Sequence, residues 1–258
     1  MKTLLWFIYF FVSLICLIPY QAYVALLKKT GKEEKAQAKV NDIVRWWMGS
    51  LLRLAGVTAD VQGAQYLPEG PAVFICNHQG YFDIPLLLVH LNAAHGFVAK
   101  QEIKRIPLLG QWMRWIHCIY LDRASGASGI ATMNIAVQQL KRGHSLIIFP
   151  EGTRSRGGPI KEFKAGATSI AKRAGVPIVP ICINGSYKAM EANGMKIKKA
   201  HCDLVVLPAV DVTDMGREEF RNLHTQLQKG IEGTLNVLQG SAEQGEEAKQ
   251  DSANLPQQ

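Results

Sequence analysis

The sequence predicts an α/β fold: an open, largely parallel sheet flanked by helices, with an N-terminal membrane-associating helical segment. From Pro71 onward, short runs rich in β-branched and aromatic residues alternate with helical runs, as in strands joined by crossover helices. The chain has 258 residues, 48% of them hydrophobic, which is enough for one sizeable core. A long uncharged apolar run near the N-terminus predicts the membrane segment.

This apolar segment covers residues 4–27 and is interrupted around Pro19, Tyr20 and Gln21. Residues 4–18 would reach about 22 Å as a helix, short of the roughly 30 Å hydrocarbon core, whereas a helix continued to residue 27 could span it. Length therefore leaves a spanning and a monotopic segment both open. A cleaved signal peptide is a competing interpretation, but no small-residue cleavage site follows cleanly.

A cluster of positive charge follows the segment, offset in part by two glutamates: Lys28, Lys29, Lys32, Lys35 and Lys39. Such a cluster favours the cytoplasmic side. We therefore expect location at the inner (cytoplasmic) membrane, with the catalytic domain facing the cytoplasm. Residues 40–54 then form a second amphipathic stretch, either a helix at the lipid interface or a surface helix packed on the core. We favour membrane contact because the preceding segment already lies there.

The expected organisation has three parts: membrane-associating helices at 1–60, an α/β domain at 61–239 and a disordered polar tail at 240–258. The predicted strands are 72–76, 96–99, 118–121, 145–149, 177–183 and 202–207. The predicted helices of the domain are 128–141, 166–174 and 217–235.

The formal net charge is +8, and the body is more basic still, because residues 240–258 carry four acidic side chains against one lysine. A basic surface favours nucleic acid, anionic lipid head groups or phosphorylated small molecules. We do not expect nucleic acid as a partner, because the basic residues are not interleaved with exposed aromatics. The five cysteines are widely spaced and none forms a C-x-x-C pair, so neither a disulfide framework nor a metal site is expected.

The first candidate site is the run Asn77-His78-Gln79-Gly80-Tyr81-Phe82-Asp83, which follows an apolar strand. Open α/β sheets place their sites at such strand ends. His78 and Asp83 can meet only through a turn between strand and helix, which Gly80 permits. Asp83 could then hold one imidazole nitrogen while the other takes a proton from a hydroxyl. Taken alone, this spacing more often belongs to a structural histidine.

The second candidate is the run Phe149-Pro150-Glu151-Gly152-Thr153-Arg154-Ser155, again after an apolar strand. A glycine, a carboxylate and an arginine there could cradle a phosphate, with Arg154 making a two-pronged contact. Pro-Glu-Gly is also ordinary turn chemistry. A third run, Tyr120-Leu121-Asp122-Arg123, places Arg123 on the same presumed edge, where its alternative role is a surface ion pair.

Together with Val176-Pro177-Ile178-Val179-Pro180, these runs resemble the four ordered blocks of the glycerolipid acyltransferase family that includes the 1-acyl-glycerol-3-phosphate acyltransferases. The resemblance covers residues 70–185. It departs at two positions: the first block often has serine where this chain has Gly80, and the second often opens with glycine where this chain has His117.

The resemblance implies roles for individual residues. His78 would be the general base and Asp83 its orienting partner. The acceptor would be held by residues of the second and third blocks, with a further lysine as a weaker candidate: Arg123, Glu151, Gly152, Thr153, Arg154 and Lys100. The fourth block would lie near the acyl chain. The family needs no metal or tightly bound cofactor.

The implied activity moves a fatty acyl group from acyl-CoA or acyl-carrier protein to lysophosphatidic acid. The implied partners are therefore a lysophospholipid, an acyl thioester and an anionic membrane surface, with the carrier protein as a further partner where it supplies the acyl group. Another lysolipid acceptor and a non-catalytic lipid-binding module stay open as alternatives. A serine esterase is disfavoured because the chain has no G-x-S-x-G elbow.

One mechanistic alternative comes from Cys76, two residues before His78, which would share a face with it in a regular strand. A Cys–His pair could form an acyl-enzyme. We expect direct transfer instead, because Cys76 ends an apolar run in which a buried, inert thiol is common.

Overall fold

The computed structural model describes the backbone of residues 1–121 and 126–253, and the side chains of residues 1–121 and 129–241. Its helices are α1 (Lys2–Cys16), α2 (Ile18–Lys29), α3 (Glu33–Ala55), α4 (Asp83–His90), α5 (Leu109–Trp115), α6 (Gly126–Lys141), α7 (Gly166–Ala174) and α8 (Arg217–Ala253). Its strands are β1 (Val57–Gln62), β2 (Val73–Cys76), β3 (Gly96–Lys100), β4 (Ile119–Leu121), β5 (Leu146–Ile148), β6 (Ile178–Asn184) and β7 (Ala200–Val206).

The strands form one sheet in the order β1-β7-β6-β2-β5-β3-β4. Every neighbouring pair is parallel except β6 and β7. One buried apolar cluster covers each face of the sheet, as expected for an open sheet between helical layers. The predicted fold class is confirmed. The carboxyl ends of β2, β5 and β6, which are neighbours, lie at the same edge.

All six predicted strands are present, and β1 is the strand that sequence reasoning missed. In β1, Val57 is buried, whereas Thr58, Asp60 and Gln62 are exposed. An edge strand with so much exposed polar surface gives little apolar signal. The domain boundary expected at residue 60 therefore falls inside a strand of the sheet.

The last helix is longer than predicted. Helix α8 continues past residue 235 to Ala253 and so runs through most of the segment expected to be a disordered tail. Its buried side chains, which include Leu223, Leu227 and Ile231, pack on one face of the sheet. Residues 240–253 include three Ala, three Glu and two Gln, residue types with a high intrinsic helix propensity.

The N-terminal helices are part of the protein core. Helix α3 buries Val44, Trp47 and Leu51 in a cluster that also contains Leu14 of α1 and Val24 of α2. Our preference for membrane contact along residues 40–54 is therefore wrong for these side chains, because the protein itself covers them. Trp46, on the other side of the helix, is exposed.

Helix α1 also reaches the loop that follows β2. The Trp6 ring lies 5.8 Å from the Phe82 ring, centroid to centroid, and its Nε1 donates to the Leu51 carbonyl at 2.9 Å. The Ile197 N–H donates to Thr3 Oγ1 at 2.9 Å. These contacts join α1 to the α/β domain.

Among the described helices, none is by itself long and apolar enough to cross a membrane. The consecutive helices α1 and α2, which meet at a 40° bend, pass the test of length and composition together.

Candidate active site

The candidate site lies at the carboxyl edge of β2, β5 and β6, where three loops meet. The Asn77 side chain joins the first loop to β6: its Nδ2 donates to the Ile183 carbonyl and its Oδ1 accepts the Ile183 N–H, both at 2.8 Å. The loop after β5 donates to the first loop, from the Ser155 N–H to the His78 carbonyl at 2.7 Å. This edge therefore has a fixed backbone geometry.

His78 and Asp83 are in contact, as the sequence predicts. His78 Nδ1 and Asp83 Oδ2 are 2.6 Å apart. Asp83 is fully buried at the start of α4, and Oδ2 also accepts the backbone N–H groups of Gln79 at 2.7 Å and Gly80 at 3.0 Å. Its Oδ1 accepts the hydroxyl of Ser186, which is also fully buried. The turn closed by these bonds holds the carboxylate without any ion pair to lysine or arginine among the described residues.

The imidazole of His78 is held on its ring face as well as at Nδ1. The Phe149 ring stacks on it with centroids 4.1 Å apart and planes 20° apart. An ionised carboxylate only accepts hydrogen bonds, so the proton between His78 and Asp83 is assigned to Nδ1. Nε2 is then the basic nitrogen, and the side chain keeps about 20% of its surface exposed for a substrate. This arrangement can take a proton from a hydroxyl.

Glu151 lies beside the His–Asp pair but faces the protein. Its Oε1 accepts the His78 N–H at 2.7 Å and its Oε2 accepts the Lys161 N–H at 3.0 Å. Burial raises the pKa of Glu151, while the two N–H groups act in the opposite direction. Because both oxygens have backbone donors, Glu151 braces the histidine loop against the loop after β5. Contact with an acceptor stays a prediction for this residue.

Arg154 is packed between a ring and a carboxylate. Its guanidinium carbon lies 3.7 Å from the centroid of the Tyr81 ring, and its Nη1 is 3.3 Å from Glu191 Oε1. The arginine side chain is about 24% exposed. Arg154 thus lies beside the first loop, and its role as an anion-binding group stays a prediction.

The remaining predicted binding residues are placed as follows. Gly152 has a φ of +68°, a left-handed conformation that suits glycine. Thr153 is exposed next to it. Lys100 is exposed at the end of β3, which is separated from β2 by β5 in the sheet. Arg123 lies outside the described residues.

Sequence reasoning assigned no role to Ser186, Glu191 or Tyr81. Ser186 and Glu191 follow β6, about a hundred residues after His78, in a segment without a recognisable motif. The useful signal for Ser186 is its place two residues after a strand that neighbours β2. Tyr81 belongs to the first block, but its sequence position does not reveal the arginine that packs on it.

Both departures from the family pattern have a structural explanation. His117 has a φ of +64°, a conformation in which glycine is least strained, and its ring stacks on His144 with centroids 3.4 Å apart. At Gly80, an added Cβ would lie 2.6 Å from Glu191 Oε2. The space that a serine side chain would need at position 80 is thus taken by Glu191.

The cysteines are all unpaired, and all but Cys16 are buried. Burial raises the pKa of Cys76 well above its ordinary value, with the nearby Asp83 carboxylate adding to the effect. One group of described residues offers possible metal ligands: Asp60, His201 and Asp203, whose ligand atoms lie within 4.8 Å of one another. This group lies on β1 and β7, outside the His78 loop, and the expectation that catalysis needs no metal stays a prediction.

Comparison with known proteins gives one consistent result. Residues 58–184 match the Acyltransferase family. The chain is 38% identical over 133 residues to a chloroplastic 1-acyl-sn-glycerol-3-phosphate acyltransferase of Brassica napus, covering 51% of this chain and 38% of that protein. It is 33% identical over 155 residues to the 1-acyl-sn-glycerol-3-phosphate acyltransferase of Salmonella typhimurium, covering 60% of this chain and 62% of the relative. The chain thus spans less than two thirds of the length of each.

A solved structure shares the fold of nearly the whole chain. The 1-acyl-sn-glycerophosphate (LPA) acyltransferase PlsC from Thermotoga maritima superposes with a TM-score of 0.75, covering 92% of this chain and 97% of that one. The two sequences are 24% identical, so this likeness establishes the architecture.

Residues 58–184, which match the Acyltransferase family, contain the His–Asp pair at the carboxyl edge of the sheet. This part of the chain is therefore similar to an acyltransferase domain. Within that family, the curated relatives named above are 1-acyl-sn-glycerol-3-phosphate acyltransferases, as the four sequence blocks predict. The resemblance inferred from the sequence is confirmed.

Proposed function

We propose that this chain transfers a fatty acyl group from an acyl thioester, acyl-CoA or acyl-carrier protein, to the sn-2 hydroxyl of lysophosphatidic acid, giving phosphatidic acid. The observation that carries this proposal is the 2.6 Å contact between His78 Nδ1 and Asp83 Oδ2, which makes Nε2 the basic nitrogen at the edge of the sheet. The relatives of the chain add the substrate class, because those cited above are named for 1-acyl-sn-glycerol-3-phosphate.

The chemical step needs one base and no covalent enzyme intermediate. Nε2 of His78 takes the proton of the acceptor hydroxyl while the oxygen attacks the thioester carbonyl carbon. The tetrahedral intermediate then expels the thiolate as the carbon–sulfur bond breaks, and the imidazolium returns the proton to sulfur. Asp83 stabilises the imidazolium between the two proton transfers. The products are an ester and a free thiol.

The acceptor phosphate is assigned to Arg154, the partly exposed guanidinium beside the histidine loop. An arginine can donate two parallel hydrogen bonds to a phosphate. Arg123, Thr153, Gly152, Lys100 and Glu151 keep the acceptor-binding roles that the family resemblance implies.

Direct transfer is also supported by the state of Cys76. Its side chain is fully buried in the core, and burial raises the pKa of the thiol well above its ordinary value. A protonated, inaccessible thiol is a poor nucleophile. An acyl-enzyme on Cys76 would therefore require the site to open.

We further propose that the N-terminal helices bind the membrane that holds the acceptor. Helices α1 and α2 carry large apolar side chains that are each at least 38% exposed: Leu4, Leu5, Phe7, Ile8, Phe11, Val12, Ile15, Ile18, Tyr20, Tyr23 and Leu26. A set of this size on two consecutive helices fits a lipid surface. The lysines at the end of α2 and in the first turns of α3 would face anionic head groups on the cytoplasmic side of the inner membrane.

The proposal is tested by turnover with a panel of acceptors. The purified chain in mixed micelles is supplied with labelled oleoyl-CoA or labelled oleoyl-acyl-carrier protein. The acceptor is lysophosphatidic acid, lysophosphatidylglycerol or lysophosphatidylcholine. We expect the highest kcat/KM with lysophosphatidic acid. We also expect Arg154→Ala to raise the acceptor KM about tenfold or more, as loss of a charge-assisted contact does. Turnover that is equal for all acceptors, or absent with all, would reject the assignment.

A further inference from the structure

Glu191 is a buried carboxylate that the catalytic step does not use. It follows β6 in a short helical turn at 191–193, and the two residues before it, Ala189 and Met190, are buried in the core. Its own side chain is only 2% exposed. The backbone next to Glu191 is therefore held in the core. Because β6 and β5 lie on opposite sides of β2, the carboxylate contacts the histidine loop from the side opposite to β5.

One oxygen of Glu191 ties two elements of the site together. Oε1 accepts the Tyr81 N–H at 2.8 Å and the Nη1 group of Arg154 at 3.3 Å. The guanidinium also lies over the Tyr81 ring, with its carbon 3.7 Å from the ring centroid. Arg154 is thus held on two sides before any acceptor binds.

The other oxygen of Glu191, Oε2, is enclosed by the site and packs against Gly80. Oε2 is buried and has no hydrogen-bond partner among the described residues. It fills the space beside Gly80, where a Cβ would come within 2.6 Å of it. Burial raises the pKa of Glu191, and the Tyr81 N–H and Arg154 lower it. The desolvation cost of burying this carboxylate has to be offset by the contacts that it makes with Tyr81 and Arg154.

We propose that Glu191 is a positioning residue of the acceptor site, which fixes the Arg154 guanidinium against Tyr81 so that the acceptor phosphate meets a pre-ordered donor. This inference rests on the proposed function, in which Arg154 binds that phosphate. An unrestrained arginine has many rotamers, and the acceptor would have to order it on binding. Glu191 acts on the substrate only through Arg154.

The test is a double-mutant cycle with lysophosphatidic acid and oleoyl-CoA in mixed micelles. Glu191→Ala is expected to raise the acceptor KM about tenfold in the wild-type background and less than about twofold in the Arg154→Ala background. Glu191→Gln keeps an oxygen for both donors, so its acceptor KM is expected within about threefold of wild type. The KM for oleoyl-CoA should stay constant throughout.

Two further variants complete the experiment. Glu33→Ala removes an exposed carboxylate that pairs with Lys28 at 2.9 Å, and it is the control expected to match wild type. If Glu191→Ala fails to fold in thermal melts, Glu191→Met fills the same space without an oxygen and takes its place in the cycle.

Equal changes in acceptor KM with and without Arg154 would overturn the proposal, because Glu191 would then act independently. An unchanged or lower KM in Glu191→Ala would overturn it too. A wild-type protein that does not acylate lysophosphatidic acid would refute the proposed function instead, so the two failures are distinguishable.

Discussion

Replacing Asp83 with asparagine separates the charge of this residue from its geometry. An asparagine oxygen at the Oδ2 position can still accept from His78 Nδ1 and from the N–H groups of Gln79 and Gly80, which lie at 2.6–3.0 Å. Ser186 can turn its hydroxyl to accept from the amide nitrogen. The flipped amide would set an NH₂ group against three donors, so the surroundings select one orientation.

The expected loss in Asp83→Asn is therefore electrostatic. The fold and the His78 tautomer are kept, and what disappears is the negative charge that stabilises the imidazolium during proton transfer. We expect kcat to fall by about 10²–10⁴-fold, equivalent to roughly 2.7–5.4 kcal/mol in the activation free energy. The acceptor KM should change little, because Asp83 is fully buried and cannot touch the substrate.

The prediction is tested by initial rates of oleoyl transfer to lysophosphatidic acid, with thermal melts to show that the Asp83→Asn protein is folded. Asp83→Asn added to His78→Ala should cost nothing further, because residues that act as a unit are not additive. A folded Asp83→Asn protein with kcat within about fivefold of wild type would refute the reasoning, since proton transfer of this kind is worth far more.

Three further predictions follow from the same contacts. Ser186→Ala removes the donor to Asp83 Oδ1 and should lower kcat about tenfold with unchanged acceptor KM, as measured by steady-state kinetics. Cys76→Ser should keep kcat within about twofold while lowering the melting temperature, because it places a hydroxyl in an apolar core. Leu5→Glu combined with Phe11→Glu should weaken sedimentation with anionic vesicles yet leave the melting temperature unchanged, because both side chains are exposed.

Each of these predictions has an outcome that contradicts it. A Ser186→Ala protein with normal kcat would mean that the backbone N–H groups alone hold Asp83. Protein-bound acyl label on Cys76 in the absence of acceptor would replace direct transfer by an acyl-enzyme. Undiminished vesicle binding by the double glutamate variant would move the lipid contact away from helix α1.

The part of the site that could be predicted from sequence is local. His78 and Asp83 are five residues apart, and Gly80 between them permits the turn that brings them into contact. The strands before the blocks are continuous apolar runs because both faces of the sheet are covered, so periodicity and length identified them. Such signals need no knowledge of the tertiary structure.

The rest depends on which strands become neighbours. Ser186 and Glu191 reach Asp83 and Arg154 only because β6 lies beside β2 in the sheet, an order that no local pattern contains. The contacts of Glu151 with the backbone N–H groups of His78 and Lys161, which belong to different loops, could not be predicted from the local sequence either. Residues 40–54 have an amphipathic pattern that fits lipid or protein equally well, and only the packing of Trp47 and its neighbours resolves it.

The contact between Trp6 and Phe82 has a consequence for where the reaction happens. Phe82 immediately precedes Asp83, so helix α1 touches the same turn that carries the His–Asp pair. Under the membrane binding proposed for α1, this aromatic pair and the hydrogen bonds of Trp6 and Thr3 to the rest of the chain would hold the site at a fixed height above the acyl chains, without a flexible tether. A lysolipid would then present its free hydroxyl at the level of His78 without leaving the bilayer, and the new chain would be delivered at the depth where it remains.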